Sequence, residues 1–288
     1  MQQNVAPNRY TMVSLGIVWP ERMSLPSAYQ PASARLSSAP WKTGIVTTVF
    51  WCGELPTPKN PTTNVMSSWD PAWRTNFGGY DDPENRTRSF TPVGFIPKRN
   101  PFYVALPFND CLDGKTTKAE AAALIPWFKS SFKRHGLSVC KDRWLAVRHG
   151  DRVCYAQWSD CGPFSTDDAK YVFGDASPAN TKNGGAALDV SPAVRDHLGF
   201  QSGRRCDWRF VEVHEVPDGP WKNFGANNPF TPLGQQNIDL SPVAAFVPGA
   251  ISKKVSNTNS AVVSKTALNG AARLEELKRQ RDAWFQSK

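Results

Sequence analysis

WLAVRHGDRVCYAQWSDCGPF, residues 144 to 164, is the stretch that decides the fold. Two runs rich in β-branched and aromatic residues, Arg143 to Arg148 and Val153 to Trp158, flank His149-Gly150-Asp151. Such runs around a glycine turn read as a β-hairpin. The second run continues into Asp160-Cys161-Gly162-Pro163-Phe164. Gly and Pro just after the Asp make a turn that holds the Asp160 carboxylate rigidly at a strand end.

Outward from the hairpin, the same punctuation repeats. Ile45 to Trp51 (IVTTVFW), Phe102 to Phe108 (FYVALPF), Ala186 to Val190 and Trp208 to Glu215 are further short strands. The chain carries 24 Pro and 20 Gly, which favour short strands and irregular loops over long helices. Ser191, Pro192 and Gly199 mark a short helix by N-cap, first turn and C-terminal stop. Thr117 and Glu120 form a capping-box pattern, so an inserted helix is expected near 117 to 130, with Pro126 kinking or ending it. Residues 52 to 100 read as one long loop with aromatic anchors, and a loop of that length is usually functional.

The expectation is therefore an all-β domain over 41–222, a six-stranded barrel with long loops and an inserted helix. Residues 1–40 read as an extended arm, 223–265 as loop and linker, and 266–288 as a C-terminal helix with Leu274, Leu277 and Trp284 on one stripe. Eleven Trp and 11% aromatic residues exclude a largely disordered chain.

The formal net charge of +9 suits an anionic partner. No Lys/Arg run and no zinc-finger spacing occurs, which speaks against nucleic acid. No stretch is apolar enough to span a membrane. Met12 to Trp19 is apolar but short and runs into Pro20, so it lacks the pattern of a signal peptide. The six Cys contain no C-x-x-C pair. Their even count implies an exported protein with at least two disulfides, Cys111–Cys140 first because the two flank the inserted helix. No metal or cofactor motif is present, and no cofactor is expected; the four His show no ligand spacing.

The segment 144–164 resembles the hairpin and D-x-G-P-F turn of rare-lipoprotein-A-type lytic transglycosylases. AALDVSPAVRDHLG, residues 186 to 199, resembles their I-D-L-S segment and the H-F-D-L-S segment of expansins and family 45 endoglucanases. FYVALPF and VTTVFW are similar to two further strands of these proteins, and all four segments fall in the right order. The resemblance implies a double-psi β-barrel of the superfamily that also holds the barwin-like proteins. It implies an extracytoplasmic protein that binds a cell-wall polysaccharide, peptidoglycan or a β-glucan, and cleaves it with an Asp general acid.

Cleaving a glycosidic bond needs a carboxylic acid to protonate the leaving oxygen, and inverting hydrolysis needs a second carboxylate for water. Asp160 is the first candidate for the acid; Asp189 is the second, as base or structural support. The chain departs from each family's full set. Tyr103 stands where the transglycosylases have His, Cys52 follows Trp51 where family 45 enzymes have a catalytic Asp, and Ala187-Leu188 replace His-Phe. Glu54 is the substitute second carboxylate. Trp51, Trp69, Trp73 and Trp158, with Tyr103, are the candidate sugar-binding residues, because aromatic faces cover sugar C–H surfaces. Two alternatives stay open: an expansin-like module that binds without cleaving, and a barwin-like barrel that serves a protein partner.

Overall fold

The computed structural model describes residues 39–57, 60, 62–231 and 238–243, all within one compact unit, Met1–Ala245. The arm read over 1–40 lies almost wholly outside the described residues, and the helix read over 266–288 entirely so.

Six strands form: β1 (Lys42–Val49), β2 (Tyr103–Leu106), β3 (Trp144–His149), β4 (Arg152–Cys161), β5 (Leu188–Val190) and β6 (Arg204–Val211). They close into a barrel in the order β1-β5-β2-β4-β3-β6. The β1–β5 and β2–β4 pairs are parallel and the rest antiparallel. Closure removes every free strand edge. Alternate residues face inward, so Ile45, Val104, Leu106, Leu145, Val147, Leu188, Val190 and Trp208 make one core. Two indoles buried there keep their N–H groups satisfied: Trp158 Nε1 donates to the Asp160 carbonyl at 2.7 Å and Trp208 Nε1 to Tyr171 Oη at 2.7 Å.

The hairpin forms as its sequence requires, with Gly150 at φ +56 in the turn. The helix Pro192–Leu198 also follows its signals: the Ser191 side chain accepts from Val194 N–H, and Gly199 ends it at φ +72. The inserted helix does not form as one element. Two single turns, Ala121–Leu124 and Phe128–Ser131, are separated by Ile125, which Pro126 forces into extended backbone. The capping box is not made either, because Thr117 Oγ1 accepts from Gly136 N–H instead. The last strand begins at Arg204, four residues before Trp208, and ends before the turn Val213–Glu215. Its inward Cys206, Trp208 and Phe210 alternate with outward Arg205, Asp207 and Arg209. Residues 223 to 231 stay packed on the barrel, with Phe224 and Asn228 buried.

The disulfide expectation is overturned. All six Cys are free, Cys111 and Cys140 included. Cys140, Cys154 and Cys206 are small core fillers in the barrel, and Cys52 belongs to a second apolar cluster. Burial pushes the Cys206 thiol up to about 11 and the Cys111 thiol up to about 12, where Asp110 adds to the effect. These groups stay protonated and inert near neutral pH.

The long segment between β1 and β2 folds back as a cap over the outer face of β2. Phe50, Cys52, Trp73 and Phe77 pack there against Tyr103 and Ala105, with Phe95 at the edge. This cap positions the site.

Candidate active site

One residue on β2 organises the site. Ala105 pairs with Asp189 of β5 on one side and with Asp160 of β4 on the other. Asp189 in turn pairs with Thr48 of β1. Residues paired across neighbouring strands point to the same face, so Thr48, Asp189, Ala105 and Asp160 form one row across four strands. Leu188, Val190, Val104 and Leu106 take the inward positions, which puts this row on the outer face under the cap. Two strand spacings place the two Asp Cα atoms roughly 10 Å apart.

The two carboxylates differ in access. Asp160 is 8% exposed. Its Oδ1 accepts from Ser68 N–H of the cap at 2.7 Å and from Cys161 N–H at 2.8 Å. Burial raises its pKa, and those two amides with the Ser68 hydroxyl pull against the rise. Asp189 is enclosed by protein on most sides but keeps a solvent-facing edge. It accepts one hydrogen bond, from Thr48 Oγ1. Its pKa is pushed up to about 7, by burial first, with the charges of Glu54 and Asp160 adding to it.

Glu54 therefore joins the same cluster from the cap. It is 8% exposed, and Asn64 and Asn60 donate to its carboxylate at 2.7 and 3.3 Å. Burial raises its pKa as well. The structure thus brings together Asp160, Asp189 and Glu54, drawn from three distant segments. Among the described residues, no group of three or more His, Cys, Asp or Glu is placed to hold a metal ion.

The aromatic candidates divide. Trp158 is fully buried in the barrel core, so it has no face to offer a ligand. Trp73 and Tyr103 are 3% and 1% exposed and anchor the cap. The Tyr103 hydroxyl accepts from Cys52 N–H at 2.8 Å and donates to Asp81 at 2.7 Å. Asp81 is paired with buried Arg86, which also reaches Asp196 at 3.6 Å. Tyr103 is a structural bolt between barrel and cap. Trp51 and Trp69 are half-buried, with Trp51 Nε1 itself buried. Trp69 is held by Asn109, which accepts from its Nε1 at 2.8 Å, and by edge contact with Trp158.

Sequence reasoning placed Phe164 in the turn after Asp160 and Tyr80 among the loop's aromatic anchors, but left both out of the candidate binding residues. Phe164 follows the D-C-G-P turn, sits at φ +59 and is 56% exposed. Its signal was present, since an aromatic directly after Gly-Pro is carried by a turn rather than a strand. Tyr80 is half-buried near Glu54 and Trp51, and only the folded cap places it there. Among the described residues, no helix is long and apolar enough to cross a membrane. A scan of protein-family models and a search of curated proteins each find no match for this chain.

Proposed function

We propose that this chain is a double-psi β-barrel that binds a β-linked cell-wall glycan, peptidoglycan or a β-glucan, beside the cap and cleaves it with Asp189 as a single acid/base. The observation that carries the reading is Asp189 itself: the carboxyl of the row with a solvent-facing edge, pushed up to about 7 by burial and two neighbouring carboxylates. A carboxyl poised near neutral pH is protonated in part of the molecules and can donate to a leaving oxygen. The role first expected of Asp160 moves to Asp189, because Asp160 lies under Ser68 with its Oδ1 already occupied by two amides.

This arrangement favours intramolecular bond cleavage over hydrolysis. Inverting hydrolysis needs a second carboxylate free to activate water. Asp160 and Glu54 are each 8% exposed and hydrogen-bonded, so they serve better as the charges that raise Asp189. A lytic transglycosylase needs one group that first protonates the leaving oxygen and then, as base, takes the proton from the sugar's own hydroxyl as it closes the anhydro ring. Exposed Phe164 and half-buried Trp51 and Trp69 are the aromatic residues offered to sugar faces.

A wall polymer lies outside the cytoplasm, so this reading carries an extracytoplasmic location with it. Six free thiols remove the disulfide argument for export, and the site alone supports it.

The second reading, an expansin-like module that binds without cleaving, is favoured by the depth of Asp160 and Glu54. Incubation with peptidoglycan and with β-glucans, followed by mass analysis, separates the two. Anhydro ends that vanish in Asp189→Asn are expected. Reducing ends would mean hydrolysis, and binding without products would mean the expansin-like reading.

A further inference from the structure

A concavity lies beside β1, lined by residues from both faces of the strand. It is a cleft of about 620 Å³, in the size range of small-molecule sites. Val46 contributes to its lining. Val46 and Thr48 share one face of β1, so the cleft begins about 7 Å along the strand from the Thr48–Asp189 pair. Beside β1, Gly184 and Gly185 lead into β5 and line the cleft too.

Two cations serve this cleft. Lys42 is half-buried, and its ammonium donates to the Gly174 carbonyl at 2.6 Å over the rings of Tyr171 and Trp208. Burial lowers its pKa, and Asp175 and Asp168 act against that. Arg205 stands opposite Val46 on β6, exposed, with its guanidinium at the Gly44 carbonyl. Each spends one bond on a backbone carbonyl and has further N–H donors. Among the described residues of the lining Asp175 is the one acid, and Asp168 behind it also acts on Lys42. The backbone leaves room as well: a Cβ added at Gly44 or Gly184 would meet no atom within 4 Å.

We propose that this cleft is a subsite for a sugar bearing a carboxylate, held by Lys42 and Arg205, so that the polymer handled at Asp189 is an acidic glycan. The inference rests on the glycan reading of Asp189 for its second half only. Ammonium and guanidinium donors prefer a charged acceptor over a hydroxyl by the strength of charge-assisted bonds. An anion in the cleft would also offset the burial of the Lys42 charge.

The test is calorimetric titration of the full chain with an oligoglucuronate and a neutral β-glucan oligosaccharide of equal length, with NMR titration of free glucuronate and glucose. The acidic oligosaccharide should bind at least tenfold more tightly. Arg205→Gln should remove most of that advantage, leave affinity for the neutral oligosaccharide unchanged and leave the melting temperature alone, because Arg205 is exposed. Lys42→Gln should act in the same direction, with salt weakening only the acidic ligand. Equal affinity for the two oligosaccharides overturns the proposal, as does an acidic preference that survives both substitutions. If neither oligosaccharide binds but glucuronate shifts resonances of the 174–185 segment, the subsite stands and the glycan reading of Asp189 has failed. If glucuronate shifts nothing either, the subsite fails.

Discussion

The barrel interior and the cap over β2 are held by different physics. The interior is a continuous apolar core, and the buried indoles of Trp158 and Trp208 each donate to one acceptor. The cap has a small apolar cluster and depends on buried polar pairs, Asp81 with Arg86 and Glu54 with Asn64, and on buried Asp70, which accepts from exposed Asn76. Apolar burial is non-directional and tolerates small changes, whereas a buried polar network is stable only with every partner present. The three carboxylates sit at the seam between these regimes, where a rigid wall supplies Asp160 and Asp189 and the cap supplies Glu54 and Ser68. The cap is therefore expected to open at lower free energy than the barrel.

The largest expected effect breaks the cap at its centre. Arg86→Met leaves the Asp81 carboxylate buried without its counter-charge. Removing one partner of a buried pair costs roughly 3–5 kcal/mol. Hydrogen exchange should show lost protection across residues 52–100 while β3 and β4 keep theirs. Equal loss in the β3–β4 hairpin would show that cap and barrel are one cooperative unit. Trp158→Ala is the counterpart in the core, also worth about 3–5 kcal/mol, and should lower protection everywhere.

Tyr103→Phe comes next. It removes only the hydroxyl that joins Cys52 N–H to Asp81. A buried donor and carboxylate lose a partner, at about 1–3 kcal/mol. Chemical denaturation should report this loss. A neutral result would mean that water replaces the hydroxyl, and that the seam is wetter than its 1% exposure at Tyr103 implies.

These two experiments touch the part of the molecule that sequence reading could not reach. The hairpin, the Ser191 N-cap and the Gly199 stop were legible because each is a local pattern of a few residues. Asp160 and Asp189 were legible as types at a turn and a strand end. Their shared row was not, because it depends on Ala105 pairing with residues 160 and 189, far along the chain. The cap read as one long loop with aromatic anchors because its order comes from Asp81, Arg86 and Tyr103 meeting in space, with no periodicity to announce it. The start of β6 was missed because Arg204, Arg205 and Asp207 mask a strand whose inward residues are Cys206, Trp208 and Phe210. The cysteines misled for a related reason: an even count says nothing of position, whereas Cys154 and Cys206 occupy inward strand positions.

The pH dependence sharpens the comparison from the side of the seam. Burial raises the pKa of Asp189, Asp160 and Glu54 above ordinary carboxyl values. A carboxyl raised on folding binds protons more tightly in the native state. Its stabilising effect is present in full below its unfolded pKa and is lost as pH rises through the folded one. For Asp189 that window runs from 3.8 to about 7. Stability should therefore fall across it, by roughly 2 kcal/mol once the solvent-facing edge is allowed for. Asp189→Asn should flatten much of the slope and leave the fold intact. It should also cut any glycan cleavage by ~10²–10⁴-fold, the usual worth of a general acid. A rate that survives the substitution would return the acid role to Asp160.

The smallest expected effect lies where the two regions touch on the outside. Trp69 belongs to the cap, yet its ring leans edge-on against Trp158 of the barrel core at 5.5 Å, and its Nε1 donates to Asn109. Its other side is partly open. Trp69→Phe keeps an aromatic ring and loses the hydrogen bond, so stability should change by about 1 kcal/mol or less. If Trp69 also receives a sugar face, glycan affinity should drop severalfold, since the smaller ring covers less of the sugar. The two readouts separate its roles. A change in melting temperature with unchanged affinity would make Trp69 a second bolt like Tyr103, belonging wholly to the cap. A change in affinity at nearly constant stability would make it part of the binding surface, held in place by the barrel beneath it.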